Sequence, residues 1–276
     1  NFTDDFVTYT PDQGYSGIDT FEYTICDVTN SENCDSATVT ITIDTVFDDI
    51  EAELKAFPSA KGGGAYSTGG RGGIVVHVTT LDDDGNSNII PGSFREAMLM
   101  TVPRIIVFDI SGNIFLTEIL ELVLENSNFT IAGQTAPIGG ITISGKPVRL
   151  GGGYNRANEP CNNAIIRYIR FKNASYTGVA DDYLHNGMLS GGANGLILDH
   201  CSFAFNDDQA ISAGSAYGDF ITITIQKCLF SENGTGLILG FGSYNGFDRG
   251  NLTMTDNFFV DQSHRTPNIA GNLQYD

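Results

Sequence analysis

Residues 195–212 read GLILDHCSFAFNDDQAIS: a short apolar run, an Asp-His pair, then two adjacent carboxylates. Taken alone, this is a buried strand followed by an acidic loop. Its first nine residues, Gly195 to Phe203, have counterparts upstream at Asn163 to Phe171 (NAIIRYIRF) and downstream at Thr222 to Phe230 (TITIQKCLF) and Asn251 to Phe259 (NLTMTDNFF). The frames start at 163, 195, 222 and 251, which are 32, 27 and 29 residues apart. A strand unit returning about every 30 residues predicts a stacked array. The second and fourth positions of each frame are mostly apolar (Ala164 and Ile166, Leu196 and Leu198, Ile223 and Ile225, Leu252 and Met254), as strands with one face in a core require. The seventh positions form a column Ile169, Cys201, Cys228, Asn257, and the ninth a column Phe171, Phe203, Phe230, Phe259. Parallel coils in register produce such columns, and an aromatic ladder of this kind reads as core filling.

Composition agrees with that reading. Of 276 residues, 41% are hydrophobic, enough for a core, and 33 are glycine with no tryptophan. This suits short strands joined by many turns. No apolar run approaches the roughly 18 residues of a membrane span. A net charge of −19 opposes nucleic-acid binding through a basic face. It is compatible with a solvated surface or, where carboxylates cluster, with a hard cation. The cysteine count of five is odd. Cys26 and Cys34 bracket a turn-like DVTNSEN segment and could close a small loop, which would imply an oxidising, extracytoplasmic setting. Cys201 and Cys228 read as stacked small fillers. With no initiator Met, signal peptide or anchor in the sequence, the chain is expected to be a piece of a longer protein.

Residues 1–45 alternate with period two through DFVTYTP, DTFEYTI and SATVTITID, which predicts antiparallel strands with hairpin turns. They resemble the C-terminal part of bacterial cadherin-like or immunoglobulin-like repeat modules, on the text YTPDQGYSGIDTFEYTICD and CDSATVTITI. A partial β-sandwich is expected there. From residue 46 the pattern changes. DDIEAELKAF has helical spacing with acids in its first turn. The glycine-rich run KGGGAYSTGGRGG at 61–73 reads as a flexible loop, since no P-loop lysine-serine pair closes it as a phosphate cradle. A strand GIVVHVTTL, a polar turn DDDGNSN, a short helix SFREAMLM and an apolar strand RIIVFDISG follow.

The segments GGRGGIVVHVTTLDDDG, GSFREAM, PRIIVFDISGNIFL and NFTIAGQTAPIGGITISG, in that order, resemble the pectate lyases of polysaccharide lyase family 1, in particular a secreted Bacteroidetes-like branch. The resemblance runs from about Ala56 to the end. It implies an all-β fold for residues 46–276, a right-handed, single-stranded parallel β-helix of pectin-lyase type, incomplete at its C-terminus, with IEAELKAF as a helical cover over its N-terminal end. It also implies a bacterial secreted or cell-surface location, a monomeric full-length protein, and an acidic polysaccharide, pectate or polygalacturonate, as partner.

Three loops carry the candidate chemistry: VADDYLHNG, FNDDQAIS and DQSHRTPNIAG. Acidic pairs on neighbouring coils could supply two to four of the roughly six to eight oxygens that Ca²⁺ takes, or be ordinary turn residues. The resemblance assigns Ca²⁺ ligation to Asp181, Asp182 and Asp208. Its Arg-x-Pro motif falls on Arg265, the implied proton-abstracting base, with an electrostatic clamp as the alternative because guanidinium is ordinarily protonated. Asp199-His200 matches the family's Asp-His strand and reads as a buried structural pair. Two positions depart from the family: Ser212 stands where an aspartate is usual, and Thr235 lies near the place of a substrate-binding lysine. The implied reaction is calcium-dependent β-elimination to 4,5-unsaturated oligogalacturonides. A polygalacturonase-type hydrolase, which needs a carboxylate acid and base, and a non-catalytic carbohydrate-binding or adhesive β-helix are the alternatives.

Overall fold

The computed structural model describes residues 2–3, 6–7, 9, 17–27, 32–43, 54–151, 161–174, 189–191, 195–207, 209–213, 220–239, 249–269 and 272–275. The chain divides into two compact units, Asn1–Glu53 and Leu54–Asp276.

In the first unit the period-two pattern becomes two antiparallel pairings. Phe2–Thr3 pairs with Phe6–Val7, and Gly17–Cys26 pairs with Cys34–Ile43 along its whole length. Cys26 and Cys34 face each other at the turn end of this long hairpin and form a disulfide.

The second unit is a parallel solenoid. Three sheets run along it: sheet A with eight strands, from Ile74–Val78 to Asn272–Tyr275, and sheets B and C with six each, from Gly112–Leu116 and Leu120–Leu122 to Phe258–Val260 and Asn268–Ile269. Each coil contributes one strand to A, then B, then C, which gives six three-strand coils. The repeated frame is the A strand, a corner and the B strand. Its columns fall in register: Ile166, Leu198, Ile225 and Met254 pair in sheet A, and Phe171, Phe203, Phe230 and Phe259 pair in sheet B. The four phenylalanine rings stack at centroid spacings of 4.9, 5.2 and 4.9 Å. That matches the spacing of about 4.8 Å between paired strands, so the rings inherit their stacking from the backbone.

From the third coil to the sixth, the A-to-B corner is made by one residue with positive φ: Tyr168 (58°), His200 (55°), Lys227 (52°) and Asp256 (58°). None of the four is glycine, so the left-handed conformation costs something at each of these corners. The corner amides of Tyr168, His200 and Lys227 offset that cost by donating to the carbonyls of Asp199, Gln226 and Thr255 on the next coil.

Two expectations are overturned. The helical cover expected at IEAELKAF is not formed over its described part: Leu54–Phe57 is not helical, and the rest of that segment lies outside the described residues. The helix that closes the early coils is Phe94–Leu99, capped by Ser93, whose hydroxyl accepts from the Glu96 amide, and burying Phe94, Ala97 and Met98 in the core. The reason is composition: Phe94, Ala97 and Met98 provide a continuous apolar face. The fully buried Arg104 guanidinium donates to the carbonyls of Ala97 and Met98, at the helix C-terminus, and to those of Val102, Asn126 and Ser127. Burial lowers its pKa to about 10.

The glycine-rich run is a strap and not a flexible loop. It crosses the outer face of sheet A from the sixth coil back to the first. Gly63, Gly64 and Gly70 amides donate to the hydroxyls of Thr253, Thr224 and Thr130, and Ala60 and Ala65 pack on Ile165 and Ile197. The chain then enters sheet A as the strand Ile74–Val78. Glycine is required at residue 70, where a Cβ would lie 1.8 Å from the Arg104 carbonyl oxygen. The strap explains why Leu196–Asp199 is buried on both faces.

Candidate active site

The candidate residues all fall in the connections from sheet B to sheet C. In sequence, Asp181 and Asp182 lie between the third-coil strands Ile169–Ala174 and Leu189–Gly191, and Asp208 lies between Ser202–Ala204 and Gln209–Ala213 of the fourth coil. All three lie outside the described residues. Among the described residues no three His, Cys, Asp or Glu side chains gather as a metal site. Asp207, next to Asp208, is described and exposed. Arg265 is described, exposed, and lies between Phe258–Val260 and Asn268–Ile269 of the sixth coil.

These connections begin alike. Phe205, Glu232 and Asp261 each take positive φ (57°, 52° and 48°) directly after the B strand, which turns the chain toward sheet C. The next residues form a ladder of amides through the rim. Asn206 Nδ2 donates to Asn233 Oδ1 (2.7 Å), Asn233 Nδ2 donates to Gln262 Oε1 (3.1 Å), and Gln262 Nε2 donates to the Val260 carbonyl (2.8 Å). Asn206 and Asn233 are almost fully buried. A buried amide must be paired, and each is paired by the coil beside it. The signal in the sequence was the triplet Phe-Asn-Asp, Glu-Asn-Gly, Asp-Gln-Ser at one offset after each B strand.

The Arg265 connection is longer than the one beneath it. Three residues, Glu232 to Gly234, link B to C on the fifth coil, and seven, Asp261 to Pro267, do so on the sixth. The added length lies along the start of the fifth-coil strand Thr235–Leu239: the Ser263 amide donates to the Asn233 carbonyl (3.2 Å), and the His264 and Arg265 carbonyls accept from the amides of Gly236 (3.0 Å) and Leu237 (2.9 Å). Arg265 takes φ 56° and the Thr266-Pro267 peptide is cis. A Cβ on Gly236 would come 2.7 Å from the Arg265 carbonyl oxygen. Thr235 is 1% exposed, and its hydroxyl lies 3.0 Å from His264 Nε2. The Gly234-Thr235-Gly236 stretch, read from sequence as the place of a missing lysine, is therefore a close-packed platform under the arginine turn. Lys172, within the third-coil B strand Ile169–Ala174, places its Nζ 5.9 Å from the ring centroid of the half-exposed Phe205, a cation near this rim that the sequence reading passed over.

Asp199 and His200 face elsewhere, on the strap side of sheet A. The Asp199 carboxylate is fully buried and is held by His200 Nδ1 (2.8 Å), Arg167 Nε (2.8 Å) and Gln226 Nε2 (2.7 Å). Burial raises its pKa, but the hydrogen bonds from His200, Arg167 and Gln226 outweigh it and hold the carboxyl below the ordinary value. Arg167 stacks at 3.9 Å on Phe57, just ahead of the strap, and His200 stacks at 4.7 Å on Tyr168. The pair ties the strap to the sheet.

A three-sheet parallel β-helix with an arginine turn on its B-to-C rim defines the class of this unit. The chain is homologous to pectate lyases. It is 34% identical over 220 residues to Probable pectate lyase C of Aspergillus fumigatus, covering 79% of this chain and 46% of that protein. It is 32% identical over 220 residues to the protein of the same name from Aspergillus oryzae, with the same coverage. Probable pectate lyase 12 of Arabidopsis thaliana is 29% identical over 213 residues, 72% of this chain and 40% of that protein. The chain thus spans less than half the length of these relatives. The crystal structure of jun a 1, the major allergen from cedar pollen, has the same fold, with a TM-score of 0.54 at 19% identity over 76% of this chain and 58% of that one. Residues 1–42 match a family model described as Bacterial Ig domain. The described residues include no helix long and apolar enough to cross a membrane.

Proposed function

We propose that the solenoid, residues 46–276, is a calcium-dependent pectate lyase cleaving polygalacturonate by β-elimination, and that residues 1–45 are a separate module. The observation that carries the reading is the sixth-coil connection, which holds Arg265 against the rim in a chain homologous to pectate lyases. Coils succeed one another at about 4.8 Å, so connections of the third, fourth and sixth coils are within reach of one polymer lying along the rim.

The C5 proton of a uronate lies alpha to its carboxylate, so removing it loads charge onto that carboxylate. Arg265 takes the C5 proton, the electron pair forms the C4–C5 double bond, and the C4–oxygen bond to the neighbouring sugar breaks, its bonding pair leaving with the oxygen, which takes up a proton from solvent. No water is added. A guanidinium must be neutral to act as base, so the rate should rise toward alkaline pH. As a clamp, Arg265 would instead hold the carboxylate without transferring a proton. Asp181, Asp182 and Asp208 are hard oxygen donors of the kind Ca²⁺ prefers. They would hold that ion, which when bound supplies positive charge beside the substrate carboxylate. We also place the protein outside the cell, a setting that suits the Cys26–Cys34 disulfide.

The test is release of ultraviolet-absorbing unsaturated oligouronides from polygalacturonate, with and without a chelator. We expect product with calcium, none after chelation, and a loss of at least about 100-fold in kcat for Arg265→Ala. Chain cleavage without ultraviolet absorbance would make it a hydrolase; binding without cleavage would make it a carbohydrate-binding module.

A further inference from the structure

We infer that Thr235 and His264 form a positioning pair that aims Arg265, an inference that rests on the reading of Arg265 as the group that meets the uronate. Arg265 is exposed and takes a left-handed backbone conformation that a non-glycine residue adopts only at a cost. What holds it is the coil beneath, at three places: the Ser263 amide on Asn233, the His264 carbonyl on Gly236 and the Arg265 carbonyl on Leu237. These are all backbone bonds, available to any sequence in this turn. Two side-chain contacts add to them: Asn233 Nδ2 donates to Gln262 Oε1 (3.1 Å) at the start of the connection, and Thr235 Oγ1 meets His264 Nε2 (3.0 Å) directly beside Arg265.

Its chemistry suits a fixed anchor. The Thr235 hydroxyl is buried and needs a partner. The imidazole can provide one in any state, accepting through a bare Nε2 or donating through a protonated one. The contact pins the residue directly before Arg265. His264 is exposed, so when the contact is lost its ring can turn to water. The fold then survives, but the turn is held by its backbone bonds and by Gln262 on Asn233, with no side-chain tie beside Arg265. Misplacing a reacting group by about 1 Å costs up to about 100-fold in rate.

The experiment compares Thr235→Val, which keeps the shape without the hydroxyl, Thr235→Ser, which keeps the hydroxyl, His264→Ala and the Thr235→Val/His264→Ala double variant. Thr235→Val and His264→Ala should each lower kcat about tenfold with KM and the limbs of the pH profile unchanged. Thr235→Ser should stay within about twofold of the parent, and the double variant should be no slower than the slower single one. The backbone amide resonance of Arg265 should move in Thr235→Val and stay in place in Thr235→Ser. A Thr235→Val protein that turns over at the parent rate, or whose Arg265 resonance is unmoved, overturns the pairing. A parent that releases no unsaturated product, or an Arg265→Ala variant as fast as the parent, overturns the function instead, and the resonance still decides the pairing.

Discussion

Asp199, read from the sequence as half of a buried structural pair, is held by hydrogen bonds from Arg167, His200 and Gln226, under the strap. Its folded pKa is depressed, so its contribution to stability is complete above the unfolded value of about 3.9 and is lost as pH falls through the folded one. Asp199→Asn should therefore cost on the order of 2–4 kcal/mol at neutral pH, with the gap from the parent closing below about pH 4 in thermal melts taken as a function of pH. Gly236 makes the opposite kind of prediction. Gly236→Ala would force the Arg265 carbonyl to move from a Cβ 2.7 Å away. It should depress kcat more than it depresses melting temperature, measured on the same preparation.

At the scale of elements, the short helix Phe94–Leu99 depends on one buried cation. Arg104 answers the helix-terminal carbonyls of Ala97 and Met98 and three others nearby. A helix end buried without partners is costly. Arg104→Met fills the space but leaves those carbonyls unpaired, and should cost about 3 kcal/mol or more, read as a lower midpoint in urea. The helix itself was legible in SFREAMLM because its cap and apolar spacing are local. Its role as the closing element was not, because that depends on where the first coil ends. IEAELKAF carries an equally helical pattern, and Leu54–Phe57 is nevertheless not helical, with Ala56 and Phe57 packed on the apolar cluster beneath the strap.

For the solenoid as a whole, the strap is the contact with the longest reach, joining residues 60–73 to six successive coils. Repeat architectures otherwise hold each coil only to its neighbours. Gly70→Ala, with its Cβ 1.8 Å from the Arg104 carbonyl oxygen, should lift the strap at the first coil. Limited proteolysis should then cut within 61–73 in the variant and leave the parent intact there, and the variant's melting should broaden as the coils lose their common tie.

The period of about 30 residues, the two inward positions of each frame and the phenylalanine column were enough to determine the parallel coils, because a residue's neighbour in a solenoid is its equivalent one repeat away. The resemblance likewise pointed to Arg265 by its motif. The tertiary structure alone decided that KGGGAYSTGGRGG is a strap, because its partners Thr130, Thr224 and Thr253 lie 60 to 190 residues away along the chain. It alone turned NGTG from a missing lysine into the floor beneath the arginine, because that floor exists only where the fifth coil meets the longer connection of the sixth. Local pattern fixes what repeats, and contact between unlike segments fixes what does not.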